Sequence, residues 1–205
     1  MNTRKKRIRS GFTLVEIVTT LAIFGLAIAA IMSMFIHGLK SQNASNARIM
    51  VNRDIRTFTN KMTDSANFAS YFIIYSSFTD RTEIDDGSTG DFLVFVSLDE
   101  ANPSLIDKVV GFYRSAPAAN QEGPVLVYES ADNMNSAQTV ENLLPATGTQ
   151  GTHPEVVEIS KGLSNQKLFY NYNRVAVMIR GEIKRIGTND IDPVNTYNFT
   201  ISAKG

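Results

Sequence analysis

Residues 10–39 read SGFTLVEIVTTLAIFGLAIAAIMSMFIHGL. From Phe12 to Leu39 the stretch is apolar apart from Glu16, a few Thr and Ser residues and His37, and no Asp, Glu, Lys or Arg lies between Ile17 and Leu39. A helix rises about 1.5 Å per residue, so residues 12–39 reach roughly 42 Å, beyond the ~30 Å of a bilayer's hydrocarbon core. The segment is therefore predicted to be a membrane-spanning helix. Arg4, Lys5, Lys6, Arg7 and Arg9 precede it with no acid among them. Basic flanks stay on the cytoplasmic side, which puts the N-terminus in the cytoplasm and the chain beyond residue 40 outside it.

A secretory signal peptide fits this pattern, with Phe12–Leu26 as the apolar core and Ala27-Ile28-Ala29 as a small-residue cleavage site. A plain signal anchor fits it too. Neither accounts for Glu16, because an ionised side chain within an apolar span is costly unless it finds a partner. The residues around it, Ser10-Gly11-Phe12-Thr13-Leu14-Val15-Glu16, follow a basic run and lead into the uncharged span. Together they resemble the class III signal of type IV pilins and pseudopilins, a resemblance that covers roughly residues 4–40.

That resemblance implies a leader of residues 1–11, a transmembrane or filament-core helix over 12–39 and an exported head over 40–205. It implies a membrane prepilin peptidase that cuts between Gly11 and Phe12 and methylates the new amine of Phe12. Glu16 then becomes the fifth residue of the mature chain, and in the family this Glu faces the N-terminal amine of a neighbouring subunit. The arrangement makes physical sense, since the N-terminus of a helix gathers unpaired N–H groups and positive dipole charge, and a carboxylate is wanted nearby. The implied partners are the peptidase, other pilin or pseudopilin subunits and the inner membrane. The head is then expected in the periplasm, or in a filament outside the membrane.

Beyond Leu39 the chain turns polar but keeps an apolar stripe. Ala44, Ala47, Val51, Ile55, Phe58, Met62, Ala66, Ala69 and Ile73 recur at three- and four-residue steps, and no Pro interrupts the chain before Pro103. One helix is predicted from about Phe12 to the mid-60s, its second half laying the stripe on a core. Strands are predicted at 92–98, 109–114, 125–129, 156–160, 168–172, 175–186 and 197–203. In the last, Tyr197, Phe199, Ile201 and Ala203 alternate with Asn198, Thr200 and Ser202. Turn-rich stretches separate them at 85–90, 116–123 and 133–151. Residues 71–75 fit either a continued helix or a first strand. The expected fold class is α+β: a pilin-like long helix, membrane-embedded in its first half, packed on an antiparallel sheet.

The chain has 205 residues, 43% of them hydrophobic and 20% charged, enough for one globular head. Its net charge of +0 hides an asymmetry: without the five basic leader residues, 15 basic face 20 acidic residues, a balance of −5. A mildly acidic body speaks against a general nucleic-acid surface. Cysteine is absent, which excludes disulfides, thiolate nucleophiles and Cys-ligated metals, as well as the cysteine-closed loop of one class of major pilins. With His37 in the apolar helix, a Ser-His-Asp triad would have to rest on His153, so no enzyme and no cofactor are expected.

Two acidic turns are calcium candidates by their carboxylate oxygens, Asp85, Asp86 and Asp91 in one and Asn189-Asp190-Ile191-Asp192 in the other. Neither has EF-hand spacing, and a solvated turn is the simpler reading. Asn198-Phe199-Thr200 fits a glycosylation sequon but falls in a predicted strand. Asp64-Ser65-Ala66, Val110-Gly111-Phe112-Tyr113-Arg114 and Val125-Leu126-Val127-Tyr128-Glu129 resemble a J-type minor pseudopilin or a W-type minor pilin. That resemblance implies a subunit of a type IV pilus or type II secretion pseudopilus that primes filament assembly. A membrane-anchored adhesin or DNA-uptake protein exported by the same signal is the competing expectation.

Overall fold

A computed structural model describes residues 11–115, 122–163, 165–184 and 194–204. The leader before Gly11, most of the predicted 116–123 turn and the Asn189–Asp192 turn lie outside the described residues. Packing divides the chain into two units, residues 1–45 and 46–205. Helix α1, Leu14–Phe68, has its first part in one and its second in the other. In the N-terminal unit every described residue from 11 to 43 is exposed, including Leu14, Phe24 and Phe35. Among the described residues α1 is the one helix long and apolar enough to cross a membrane. An exposed apolar surface of this length calls for a nonaqueous surrounding or a partner to cover it.

In the second unit α1 buries Val51, Phe58, Met62 and Ala66, a stripe at helical spacing. Phe58, fully buried, meets the edges of Phe112, Tyr197 and Phe199 at centroid distances of 6.3, 5.8 and 6.0 Å. The helix ends where the Ala69 N–H turns back to Ala66 O and the Ser70 N–H is taken by Val96 O. Residues 71–75, Tyr-Phe-Ile-Ile-Tyr, then form strand β1. β-branched and aromatic residues suit a pleated surface better than a helix, and all five pair with a neighbouring strand.

The head follows as β2 (Thr89–Gly90), β3 (Phe92–Leu98), β4 (Ile106–Arg114), β5 (Gly123–Glu129), α2 (Val140–Leu143), β6 (Glu155–Gly162), β7 (Phe169–Tyr172), β8 (Ala176–Lys184) and β9 (Val194–Ile201). The nine strands make one antiparallel sheet in the order β1-β3-β4-β5-β6-β8-β7-β2, with β9 along the other edge of β8. Helix and antiparallel sheet give the α+β fold the sequence predicts. Thr89–Gly90, expected as part of a turn, is instead a short strand paired with β7.

The sheet has two covered faces. One meets α1 through Leu93, Phe95, Phe112, Val127, Ile179 and their neighbours. The other carries Tyr75, Phe92, Val94, Val96, Val109, Tyr113 and Leu126, over which Val140 and Leu144 close. Those two belong to the stretch 133–151 that the sequence presents as a loop. It runs as a strap over the sheet, with α2 and a short 3-10 turn at Thr147–Thr149. Two tyrosines and an arginine pin it down. Tyr128 Oη donates to Leu143 O at 2.9 Å, Tyr75 Oη donates to Glu141 Oε1 at 3.3 Å, and Arg81 Nη2 donates to Pro145 O.

Candidate processing and assembly site

The segment holding the sequence-predicted site begins at Gly11. Among the described residues a Cβ added at Gly11 would meet nothing within 4 Å. Phe12 follows, 83% exposed, as the last apolar residue before the helix-capping Thr13.

Thr13 and Glu16 form a reciprocal cap. Glu16 Oε2 accepts the Thr13 N–H and the Thr13 hydroxyl, each at 2.9 Å, and the Glu16 N–H donates to Thr13 Oγ1 at 3.3 Å. This is the Thr-x-x-Glu capping box, which satisfies N–H groups that a helix leaves orphaned at its start. Glu16 is therefore not stranded within its own chain: the capping box supplies a partner for its carboxylate. The signal was present as Thr13 three residues before Glu16. Thr19, Thr20 and His37 in this segment likewise turn to the helix backbone. Thr19 and Thr20 hydroxyls donate to Val15 O and Glu16 O at 2.9 and 2.6 Å, and His37 Nδ1 lies 2.8 Å from Ser33 O.

The acidic turn at Asp85–Asp91 does not converge on one point. Asp91, 5% exposed, places Oδ2 at 2.6 Å from Arg114 Nη2 and 3.3 Å from Lys167 Nζ, while Oδ1 accepts the Leu168 N–H at 3.1 Å. Asp86 Oδ1 accepts the Asn173 N–H at 2.5 Å, and Asp85 pairs with Arg174 at 3.2 Å. Asn173 and Arg174 have φ of 53 and 56°, so these two carboxylates hold the left-handed turn between β7 and β8. A calcium site built on Asp85, Asp86 and Asp91 is thus corrected to two turn contacts and one buried ion pair. Among the described residues no group of three His, Asp or Glu side chains is placed to hold a metal ion.

His153 sits among aromatic rings. Its Nδ1 lies 2.7 Å from Tyr113 Oη, which also accepts the Gly151 N–H at 3.3 Å, and Phe78, Tyr113 and Tyr128 surround it at 6.0, 5.7 and 5.4 Å. Burial holds its pKa below the ordinary histidine value. This is the setting of a neutral imidazole that fastens the strap. Asn198 of the sequon is exposed on β9.

Residues 6–32 match the family described as the prokaryotic N-terminal methylation motif. No curated protein and no solved structure matches the chain. The matched stretch contains Gly11, Phe12 and the Thr13–Glu16 cap, and it ends within the exposed apolar part of α1. An apolar N-terminal helix with this motif is compatible with an inner-membrane anchor. The motif supports a type IV pilin-like protein and points to a structural role rather than an enzymatic one.

Proposed function

We propose that the chain is a structural subunit of a type IV pilus or a type II secretion pseudopilus, specifically a minor subunit that helps initiate assembly. The observation that carries this reading is the methylation motif at residues 6–32, leading into the apolar, exposed first part of α1, where Glu16 is the single acid between Leu14 and Leu39. Prepilin peptidase cuts between Gly11 and Phe12 and methylates Phe12. Glycine at position 11 suits close backbone approach by the peptidase, and among the described residues nothing crowds that position. The head is exported to the periplasmic side, and other pilin or pseudopilin subunits cover the apolar helix once it leaves the bilayer.

Glu16 then serves two partners in turn. In the single chain it caps its own helix through Thr13. In the assembly it faces the amine of the next subunit, which sets axial register. Helices in lipid gain little from apolar contact with each other, so a polar pair supplies attraction and alignment. The minor role is supported by the resemblance of the 64–66, 110–114 and 125–129 segments to minor subunits.

Intact-mass and N-terminal peptide measurements on protein from its native host test the processing step. The expected species begins at Phe12 with one added methyl group, and a Gly11→Val precursor stays uncut in the membrane. A mature N-terminus at Ala30 overturns the reading in favour of conventional secretion. The minor role predicts that deleting the gene reduces the number of filaments rather than their length, with this chain substoichiometric in sheared material.

A further inference from the structure

We propose that the side of α1 left free by the sheet, at residues 48–57, binds the phosphates of anionic phospholipids in the bilayer that the apolar part of the helix enters. The inference rests on the membrane-anchor reading of α1 and not on the filament reading.

Charge is divided unevenly along the chain. Residues 40–56 hold Lys40, Arg48, Arg53 and Arg56 against one acid, Asp54, whereas residues 57–205 hold 11 basic against 18 acidic residues, a balance of −7. Cations elsewhere in the head meet carboxylates: Lys61 pairs with Glu129, Lys108 with Asp132 and Arg174 with Asp85, while Arg114 and Lys167 share Asp91. Arg48, Arg53 and Arg56 are exposed, and among the described residues none of the three forms an ion pair. Their neutralisation is left to something outside the chain.

Two shallow grooves flank the helix at this level. One, of about 280 Å³, is lined by Arg48, Val51 and Asn52 with Val194 and Asn195 of β9, and Asn195 Nδ2 fixes its wall by donating to Asn52 Oδ1 at 2.8 Å. The other, of about 270 Å³, lies between Met50, Arg53, Asp54 and Thr57 of α1 and Val156 of β6. Each groove sets one guanidinium beside exposed apolar surface, Val194 at 49% and Met50 at 47%, with Ile49 at 62% on the helix between them. A planar guanidinium takes phosphate oxygens in a fork. Cations interleaved with exposed apolar side chains mark a helix that lies at a bilayer interface. Asp54 opposes an anion in the second groove, so the Arg48 groove is the stronger site.

Position selects lipid as the occupant. Arg48 follows Leu39, the last residue of the span, by nine residues, roughly 13.5 Å of helix. The headgroup layer beyond the hydrocarbon core is about 5–7 Å deep, and the screening length at physiological salt adds ~8 Å. Arg48 is therefore in range of lipid phosphates. Residues 12–39 outrun the core by roughly 12 Å, and a span that long tilts. Only the free side of α1 can come down onto the headgroups, because the sheet covers the side carrying Val51, Phe58, Met62 and Ala66. Arg53 and Arg56 lie on that free side, one turn apart. The acidic remainder of the head is repelled by the same surface, so the charge division fixes which end faces the bilayer.

The chain has no cysteine, so one introduced Cys carries a nitroxide label uniquely. Full-length Asn60→Cys, labelled on the free side of α1, is reconstituted at one copy per nanodisc, and its relaxation by a nickel-chelating lipid reports the population close to the surface. In discs of equal phosphatidylglycerol and phosphatidylcholine that population is expected to exceed the one in pure phosphatidylcholine at least about fivefold, the factor a single surface arginine supplies. About 1 M salt, where the screening length falls to ~3 Å, removes the difference. Replacing Arg48, Arg53 and Arg56 together by Gln removes it too, whereas replacing all three by Lys retains most of it. A label at Asn142→Cys on the strap shows no gain. A chain that does not co-elute with the discs overturns the anchor reading and the inference with it. A chain that inserts but responds equally in the two lipids overturns the inference alone, as does a response that follows the number of chains per disc rather than lipid charge, which would assign the arginines to an acidic protein partner.

Discussion

At the scale of single residues, Glu16 shows how one carboxylate can satisfy two requirements that a substitution series separates. Capping needs both Thr13 and Glu16, whereas register needs only the carboxylate within reach of a neighbour. Thr13→Ala removes the hydroxyl but keeps the backbone N–H that Glu16 accepts, so it is expected to leave incorporation into sheared filaments near the wild-type level. Glu16→Ala is expected to be cleaved and inserted normally, since it makes the span more apolar, yet to fail at incorporation. Glu16→Asp keeps the charge with a shorter reach and should be partial. If Glu16→Ala incorporates at the wild-type level the register role falls, and if Thr13→Ala fails as Glu16→Ala does, capping explains the effect instead. The pairing of Glu16 with Thr13 was legible as Thr-x-x-Glu. A reading that treated the carboxylate as a foreign charge in an apolar span passed over its local partner. Asp91 makes the complementary point. Its partners Arg114 and Lys167 lie 23 and 76 residues downstream, so no local pattern could separate it from Asp85 and Asp86. Removing one member of a buried ion pair leaves the other charge uncompensated, so Asp91→Ala is expected to cost about 3–5 kcal/mol of head stability. The urea midpoint measures it, and added Ca²⁺ should move neither wild type nor variant.

At the scale of elements, legibility followed periodicity. The α1 stripe and the alternation of β9, with Tyr197 and Ile201 buried and Asn198 and Thr200 exposed, were readable because each element has one covered face. β3 and β4 carried a further signal. Phe92–Val96 and Val109–Arg114 are buried without a break, and an unbroken apolar run means both faces of a strand are covered. That run implied a second layer, which the polar composition of 133–151 concealed: it buries Val140 and Leu144 in the core, packs Met134 and Leu143 against it, and is tied down further by hydrogen bonds. The strap is therefore expected to be the weakest layer of the head. Tyr128→Phe, which deletes the bond to Leu143 O, should cost about 1 kcal/mol. His153 adds a pH dependence whose sign is fixed by burial. Its folded pKa lies below the ~6.5 of an unfolded chain, so the unfolded state binds the proton more readily. The contribution of neutral His153 is complete above about pH 6.5 and is lost as pH falls through the folded value. The groups packed around it, Tyr113, Tyr128 and Phe78, supply no carboxylate to stabilise the imidazolium. Urea midpoints at pH 7.5 and 5 should fall in wild type, and fall less in His153→Gln; equal slopes would exclude His153 as the sensor.

At the scale of the whole molecule, the division of the chain after Ser45 separates two kinds of surface, and each predicts its own solubility. Residues 11–43 are exposed throughout and keep their apolar side chains only in lipid or against other helices. The second unit buries its helix stripe on the sheet, with Phe58, Met62, Phe95 and Phe112 at or near zero exposure. A fragment beginning at Lys40 retains every one of those contacts and sheds the bilayer-length span. It is expected to be soluble without detergent and to show both helix and strand by circular dichroism. Isolated helices of this length are marginal in water, so helical signal in the fragment reports docking of α1 on the sheet rather than propensity. Phe58→Ala, which empties the junction of Phe112, Tyr197 and Phe199, should cost about 3–5 kcal/mol and melt helix and strand together. The same fragment should run as a monomer at micromolar concentration, because the continuous exposed apolar stretch that calls for cover is shed with the residues before Lys40. Aggregation of the wild-type fragment would show that the membrane helix contributes to folding of the head, whereas helical signal surviving in Phe58→Ala after strand signal is lost would show that this part of α1 forms without docking on the sheet.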